Sequence, residues 1–211
     1  MGEMKLERAD EGIGFLLRYE NVAWYEDGAV RILDRRIYPI RVEYVTCRRH
    51  EEVAQAIADM VTQSGGPFLA AAMGMALAAW EVRDRGEEEV LAFLEQAAYT
   101  LSHARPTTAA KMVRITERAL NVARQALAEG KSGLALVEAL QRNALAQINE
   151  NYLRYTAVAG YLADQIPHNG TIMTQCFAET IVGTLLRELR RRGRDVKLIC
   201  PEAPPYFQGA P

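Results

Sequence analysis

The sequence predicts an α/β protein: an N-terminal β segment and a helical domain, followed by an incomplete βαβ unit. Three observations predict it. Short apolar runs separated by a turn fill the first 46 residues. Apolar residues then recur at the 3.6-residue spacing of helices as far as about residue 165. After Pro167 the order becomes strand, helix, strand. The resulting boundaries are 1–46 for the β segment, 47–166 for the helical domain and 167–211 for the start of an α/β domain.

Ile13 to Tyr19 and Val22 to Tyr25 are apolar-rich runs that suit strands. Glu26-Asp27-Gly28 is a turn signal and Ala29 to Asp34 a further run, so a hairpin is expected. Ile40 to Thr46 has the rough alternation of a half-buried strand. The period then changes. Val53, Ala56, Ile57, Met60 and Val61 follow a helical stripe, with Glu51 and Glu52 suiting the dipole of its first turn. Ser64-Gly65-Gly66-Pro67 breaks that helix. Phe68 to Val82 is apolar all round, as a buried helix is. Glu87 to His103 is another helix, stopped before Arg105-Pro106.

Thr107 or Thr108 is placed to cap the next helix, whose stripe runs Ala109, Met112, Thr116, Leu120, Ala123 and Leu127, with Gly130 as its C′ residue. Ser132 is placed to cap a longer one, striped by Val137, Leu140, Ala144, Ile148, Tyr152, Tyr155 and Leu162. Pro167-His168-Asn169-Gly170 is a turn, Thr171 to Cys176 a strand, Ala178 to Arg192 a helix ended by Gly193, and Val196 to Cys200 a second strand. Strands joined in this way are expected to be parallel. A lone pair of parallel strands leaves a sheet that further crossovers normally bury on both faces. Another chain, the helical domain, or a longer polypeptide of which this is a piece would have to complete it.

The 25 basic and 27 acidic residues give a net charge of -2, which argues against a protein devoted to nucleic acid or to anionic membrane. No apolar run is long enough to span a bilayer, and Met1 to Asp10 lacks a signal-peptide core, so a cytoplasmic protein is expected. Cys47, Cys176 and Cys200 have no metal-ligand spacing and read as free thiols, so neither a metal nor a cofactor is expected.

Four places carry residue types suited to chemistry. Cys176 ends a predicted parallel strand just before a helix, the edge where open α/β sheets bind ligands and where a helix N-terminus lowers a thiol pKa. A buried, inert cysteine would fit the same position. Gln208 closes a tail stiffened by Pro201, Pro204 and Pro205, and an amide suits sugar hydroxyls; an ordinary exposed terminus reads the same way. Arg105 precedes a helix start, where phosphate is welcome, although a solvated arginine is the commoner use. Gly65 and Gly66 form a loop before a helix and match no Walker pattern.

Together these segments resemble, in order, the methylthioribose-1-phosphate isomerase and initiation-factor-2B family. Val30-Arg31-Ile32-Leu33-Asp34-Arg35-Arg36 and Val45-Thr46-Cys47-Arg48 look like the opening of the bacterial isomerases. Glu51 to Val61 and Gly74-Met75-Ala76-Leu77-Ala78-Ala79 continue the likeness. Arg105-Pro106-Thr107 matches the family's Arg-Pro-Thr, and Gly170 to Cys176 its cysteine-bearing strand. Glu202 to Gly209 is similar to its Glu-Thr-Arg-Pro-x-x-Gln-Gly tail. The resemblance spans about residues 29 to 209 and implies a helical domain followed by a Rossmann-like one. It implies conversion of a phosphorylated pentose-type sugar from aldose 1-phosphate to ketose 1-phosphate. Cys176 would be the acid-base residue, Arg105 a phosphate or sugar ligand and Gln208 a substrate contact. Gly65 and Gly66 would line the same site.

The departures matter as much. Ser64-Gly65-Gly66-Pro67 stands where the family has Arg-Gly-Ala-Pro. Phe177 stands for the common Asn, and Glu202-Ala203-Pro204-Pro205 for Glu-Thr-Arg-Pro. The family's catalytic aspartate and an Asn-Lys pair belong to a region that these 211 residues do not contain. A lost guanidinium–phosphate bond is worth about 1.5–3 kcal/mol, and a lost acid-base partner about 10²–10⁴-fold in rate. Activity of the chain alone is therefore not expected. A homo-oligomer, or a second chain completing the α/β domain, is. A non-catalytic assembly or regulatory relative is the alternative reading.

Overall fold

The computed structural model describes residues 8–175 and 177–204. They fall into two compact units, Tyr19–Ile148 and the residues before and after it. Arg105 and the Gly65-Gly66 loop belong to the first unit and the βαβ element to the second.

In the first unit a turn of helix α1 (Tyr19–Val22) leads into three antiparallel strands in the order β1 (Ala23–Glu26), β2 (Ala29–Leu33) and β3 (Tyr44–Cys47). The β1–β2 hairpin closes on Asp27 and Gly28, both at positive φ (48° and 72°). That is the two-residue geometry whose twist matches paired strands, and the reason Asp-Gly serves there. Helices α2 (His50–Ala58), α3 (Gly66–Glu81), α4 (Glu87–His103) and α5 (Ala109–Ala128) follow, then the long α6 (Leu134–Gln165). The α3 helix lies at the centre, packed by β1, β2, α2, α4 and α5. This explains its all-round apolar sequence: Met73, Met75 and Leu77 are completely buried. Each such side chain contributes about 1.5–3 kcal/mol relative to exposure.

Two expected strands differ. Ile13 to Tyr19 is not extended. Leu17 N–H donates to Gly14 O (3.0 Å) and Arg18 N–H to Phe15 O (3.3 Å), so tight local turns satisfy the backbone without a partner strand. Ile40 to Thr46 becomes strand only from Tyr44. Upstream, Arg36 binds the Asp34 carboxylate through its backbone N–H, Nε and an Nη (3.0, 2.9 and 2.7 Å) and winds the chain into turns. Ile40 is left 90% exposed.

The α5 helix ends as the sequence predicts. Gly130 N–H donates to Leu127 O (2.8 Å) and Lys131 N–H to Ala126 O (2.9 Å), a Schellman closure. Along α6 the expected stripe from Val137 to Tyr152 is buried, but Leu162 is 40% exposed. Ala159 and Ala163 replace it, packing with Leu185 and Leu189 of the helix that follows.

In the second unit, β4 (Gly170–Met173), α7 (Glu179–Arg191) and β5 (Val196–Ile199) form a parallel βαβ element, as predicted, with Gly170 opposite Val196 and Met173 opposite Ile199. Its core joins the alanines of α6 to α7 and to Ile172 and Val196 of the strands. Arg187 of α7 donates to the carbonyls of Ala9 and Glu11 (both 2.8 Å) and to Thr156 Oγ1 (2.9 Å), holding the N-terminal segment to this unit. Among the described residues no helix is long and apolar enough to cross a membrane.

Candidate functional site

The loop Ser64-Gly65-Gly66, expected to line the site, is more enclosed than its glycines suggest. Ser64 has φ +56°, a left-handed conformation for a residue with a Cβ. Gly66 is needed for space: a Cβ there would lie 1.8 Å from Thr62 Oγ1. This accounts for Gly66 where the family pattern has alanine, because the buried Thr62 fills that volume. The loop also uses much of its own donor capacity. Gly66 N–H is taken by Gln63 O (2.8 Å), Phe68 N–H by Gly65 O (3.2 Å), and Pro67 has none.

Arg105 is half-buried at the start of the Pro106–Thr108 3₁₀ turn that feeds α5. The expected Thr108 cap does not form. Its hydroxyl turns back to Arg105 O (3.3 Å), and its N–H donates to the same carbonyl (3.2 Å). Arg105 is thus held by its backbone, and its side chain is positioned by a short stiff turn.

The motif reading missed a further cation. The Nζ of Lys111, third residue of α5, sits 3.9 Å from the ring centre of Phe68, third residue of α3. The first turns of α3 and α5 therefore meet. Each presents the positive end of its dipole, and a lysine there adds to that charge instead of neutralising it. An anion is what such a pairing accommodates. The only signal available in the sequence was a cation in the first turn of α5, where an acidic residue would be usual.

Cys176 and Gln208 lie outside the described residues. The neighbourhood of Cys176 is nevertheless informative. The α7 helix begins at Glu179, separated from Cys176 by Phe177 and by Ala178, which is strained at φ +51°. The buried Glu179 places a carboxylate in the first turn, so the dipole of α7 already faces a negative partner of its own chain. Of the other cysteines, Cys47 is buried at the end of β3, and burial beside Glu52 pushes its thiol up to about 11. Cys47 forms part of the wall of a separate surface cleft of about 330 Å³, with Arg36, Glu52, Gln55 and Asp59. Of the described site residues, Gly65, Gly66 and Arg105 are not among its lining.

Among the described residues one histidine–carboxylate group converges. Glu81 Oε1 lies 2.7 Å from His50 N and 3.0 Å from His50 Nδ1, while Glu51 lies 3.4 Å from the same ring nitrogen. Glu51 is in turn paired with Arg49 at 3.0 Å. The protein's own hydrogen bonds use these atoms, tying the start of α2 to the end of α3.

Residues 63–211 match the profile of the initiation factor 2 subunit family. The chain belongs to that family. Among its relatives, the methylthioribose-1-phosphate isomerase of Pelotomaculum thermopropionicum is 32% identical over 200 residues, covering 90% of this chain and 54% of the relative. That of Chloroflexus aurantiacus is 34% identical over 196 residues, covering 89% and 55%. Among solved structures, subunit delta of the translation initiation factor eIF-2B from A. fulgidus is similar with a TM-score of 0.73 and 27% identity, over 90% of this chain and 56% of that one. The 5-methylthioribose 1-phosphate isomerase of Pyrococcus horikoshii shares the fold, with a TM-score of 0.72 at 23% identity. The chain spans about half the length of the curated relatives it matches.

Proposed function

We propose that this chain is the sugar-phosphate-binding portion of an aldose–ketose isomerase of the methylthioribose-1-phosphate type. It works together with the rest of a Rossmann-like domain that its βαβ element begins. The observation that carries the reading is the meeting of the α3 and α5 first turns at Phe68 and Lys111. It brings a cation to the first turns of the two helices that follow, in sequence, the Gly65-Gly66 loop and Arg105, within a chain whose relatives are named as isomerases of a sugar phosphate. Lys111 supplies charge that the loop lost when arginine became Ser64. In this reading Arg105 and Lys111 hold the phosphate and Gln208 contacts sugar hydroxyls. Once the ring has opened, Cys176 and the family's aspartate, outside these 211 residues, share the proton work as hydrogen moves from C2 to C1.

The test is calorimetric titration of the chain with methylthioribose 1-phosphate and with unphosphorylated methylthioribose. Binding should require the phosphate. Arg105→Ala and Lys111→Ala should each weaken it about tenfold or more, as expected for loss of a charge-assisted bond of about 1.5–3 kcal/mol. Equal binding of both sugars, or indifference to both substitutions, would contradict the reading.

A second reading, a non-catalytic assembly or regulatory relative, is favoured by the loop alone. Thr62 occupies the space of the family's alanine side chain, and Gln63 O takes the Gly66 N–H. Under it, no sugar phosphate would bind.

A further inference from the structure

We propose that His50, Glu51 and Glu81 bind one divalent first-row metal ion such as zinc, which clips the start of α2 to the end of α3. The three side chains bring one ring nitrogen and two carboxylate oxygens together, all within 4.8 Å of one another. Glu81 Oε1 lies 3.0 Å and Glu51 Oε2 3.4 Å from His50 Nδ1. Donor atoms held about 2.0–2.2 Å from a tetrahedral ion stand about 3.3–3.6 Å from one another. Both contacts are close to that spacing, and a small rotation of Glu51, whose side chain is 45% exposed, completes the set. A hydrogen bond explains only part of this arrangement. Nδ1 carries at most one hydrogen, yet two carboxylates converge on it. An ion meets all three donors at once, and its double charge is cancelled by the two carboxylates.

The donors are already held in place. The His50 side chain is buried, and Phe93 of α4 packs edge-on against its ring, with centroids 5.1 Å apart. Glu81 Oε1 accepts from the His50 backbone N–H (2.7 Å). Arg49 binds the Glu51 carboxylate (3.0 Å), and its hydrogen bonds hold that carboxyl below the ordinary range, so Glu51 is ionised. Such outer contacts orient the ligands of a metal. An imidazole nitrogen with two carboxylates suits zinc or cobalt, whereas calcium and magnesium take oxygen donors. Three protein donors leave a fourth position to water. Glu81 closes the α3 helix that Gly66 opens, roughly 22 Å away along the axis by the rise of a helix. The ion therefore serves the fold and is independent of the sugar-phosphate reading.

The chain, stripped of metal with a chelator and then freed of the chelator, would be titrated with zinc by calorimetry and with cobalt(II) by absorption. One equivalent of each is expected. Cobalt should give the strong visible bands of a four-coordinate ion, without the near-ultraviolet band of a thiolate ligand, and zinc should raise the urea midpoint. Glu51→Gln and Glu81→Gln should each weaken zinc at least about tenfold. Glu81→Gln keeps an acceptor for the His50 N–H, and Glu51→Gln changes an exposed side chain, so at least one of them tests the site in a folded chain. Glu52→Gln, one position outside the group, should leave affinity as it was. No binding of zinc, a six-coordinate or thiolate cobalt spectrum, or binding indifferent to both Glu51→Gln and Glu81→Gln would overturn the proposal. Several weak equivalents in place of one would mean adventitious ions only and would overturn it too.

Discussion

Thr62 and Gly66 form the tightest single contact of the candidate site, and they make it testable. Gly66→Ala puts a methyl 1.8 Å from Thr62 Oγ1, so overpacking should cost about 1–3 kcal/mol in urea unfolding. Adding Thr62→Ala should recover most of the loss, because the two effects share one volume. An unchanged midpoint in Gly66→Ala would show that the loop adapts freely. At Cys47 the thiol is held protonated by burial, so iodoacetamide at pH 8 should leave it unmodified in the native protein. Rapid labelling, mapped by mass spectrometry, would contradict that burial. The glycines were legible as a loop from sequence, but their partner was not. A threonine four residues before a glycine carries no mark that it will fill the missing side chain's space. Lys111 was hidden for a similar reason, since helical periodicity does not say which polar residue meets Phe68.

The elements that periodicity described best are those with a single packing partner face. The α4 helix spans Glu87–His103 as expected, because its apolar stripe and the following Arg105-Pro106 both act locally. The α6 stripe was readable only as far as Tyr152. Beyond it the small side chains of Ala159 and Ala163 admit α7, and a rule that looks for large apolar residues passes over them. The tie between α2 and α3 joins residues 31 apart and could not be read from spacing. Glu81→Ala should leave the His50 backbone N–H without its acceptor, at about 1–3 kcal/mol. Faster hydrogen exchange in the first turn of α2 would report it, and unchanged exchange would show the tie to be dispensable. On α7, bonds from Arg191 and Arg192 hold the Glu188 carboxyl down at about 2, below its usual 4.5. A depressed carboxyl stabilises the fold above its unfolded value, and that stabilisation fades as pH falls from 4.5 towards 2. The difference in urea midpoint between the natural chain and Glu188→Gln should therefore be present at pH 6 and shrink by pH 2.5. It should be modest, because solvent screens surface pairs. A difference that held constant across that range would contradict the pairing.

At the scale of the molecule, the candidate residues are divided between a unit that carries Arg105, Lys111 and the Gly65-Gly66 loop and a unit that carries the parallel βαβ element. The parallel pairing was legible in the order strand, helix, strand, since the short connection leaves a crossover helix as the way to return. The central claim is that these 211 residues hold the sugar phosphate and that turnover needs the rest of the α/β domain. Phosphorus NMR of methylthioribose 1-phosphate tests it most directly, with the chain alone, with the complementary half, and with that half plus Cys176→Ser. The account predicts ketose 1-phosphate only from the intact pair, with Cys176→Ser reducing turnover at least about 10²-fold. Turnover by the chain alone, or none from a pair shown to have assembled, would contradict it.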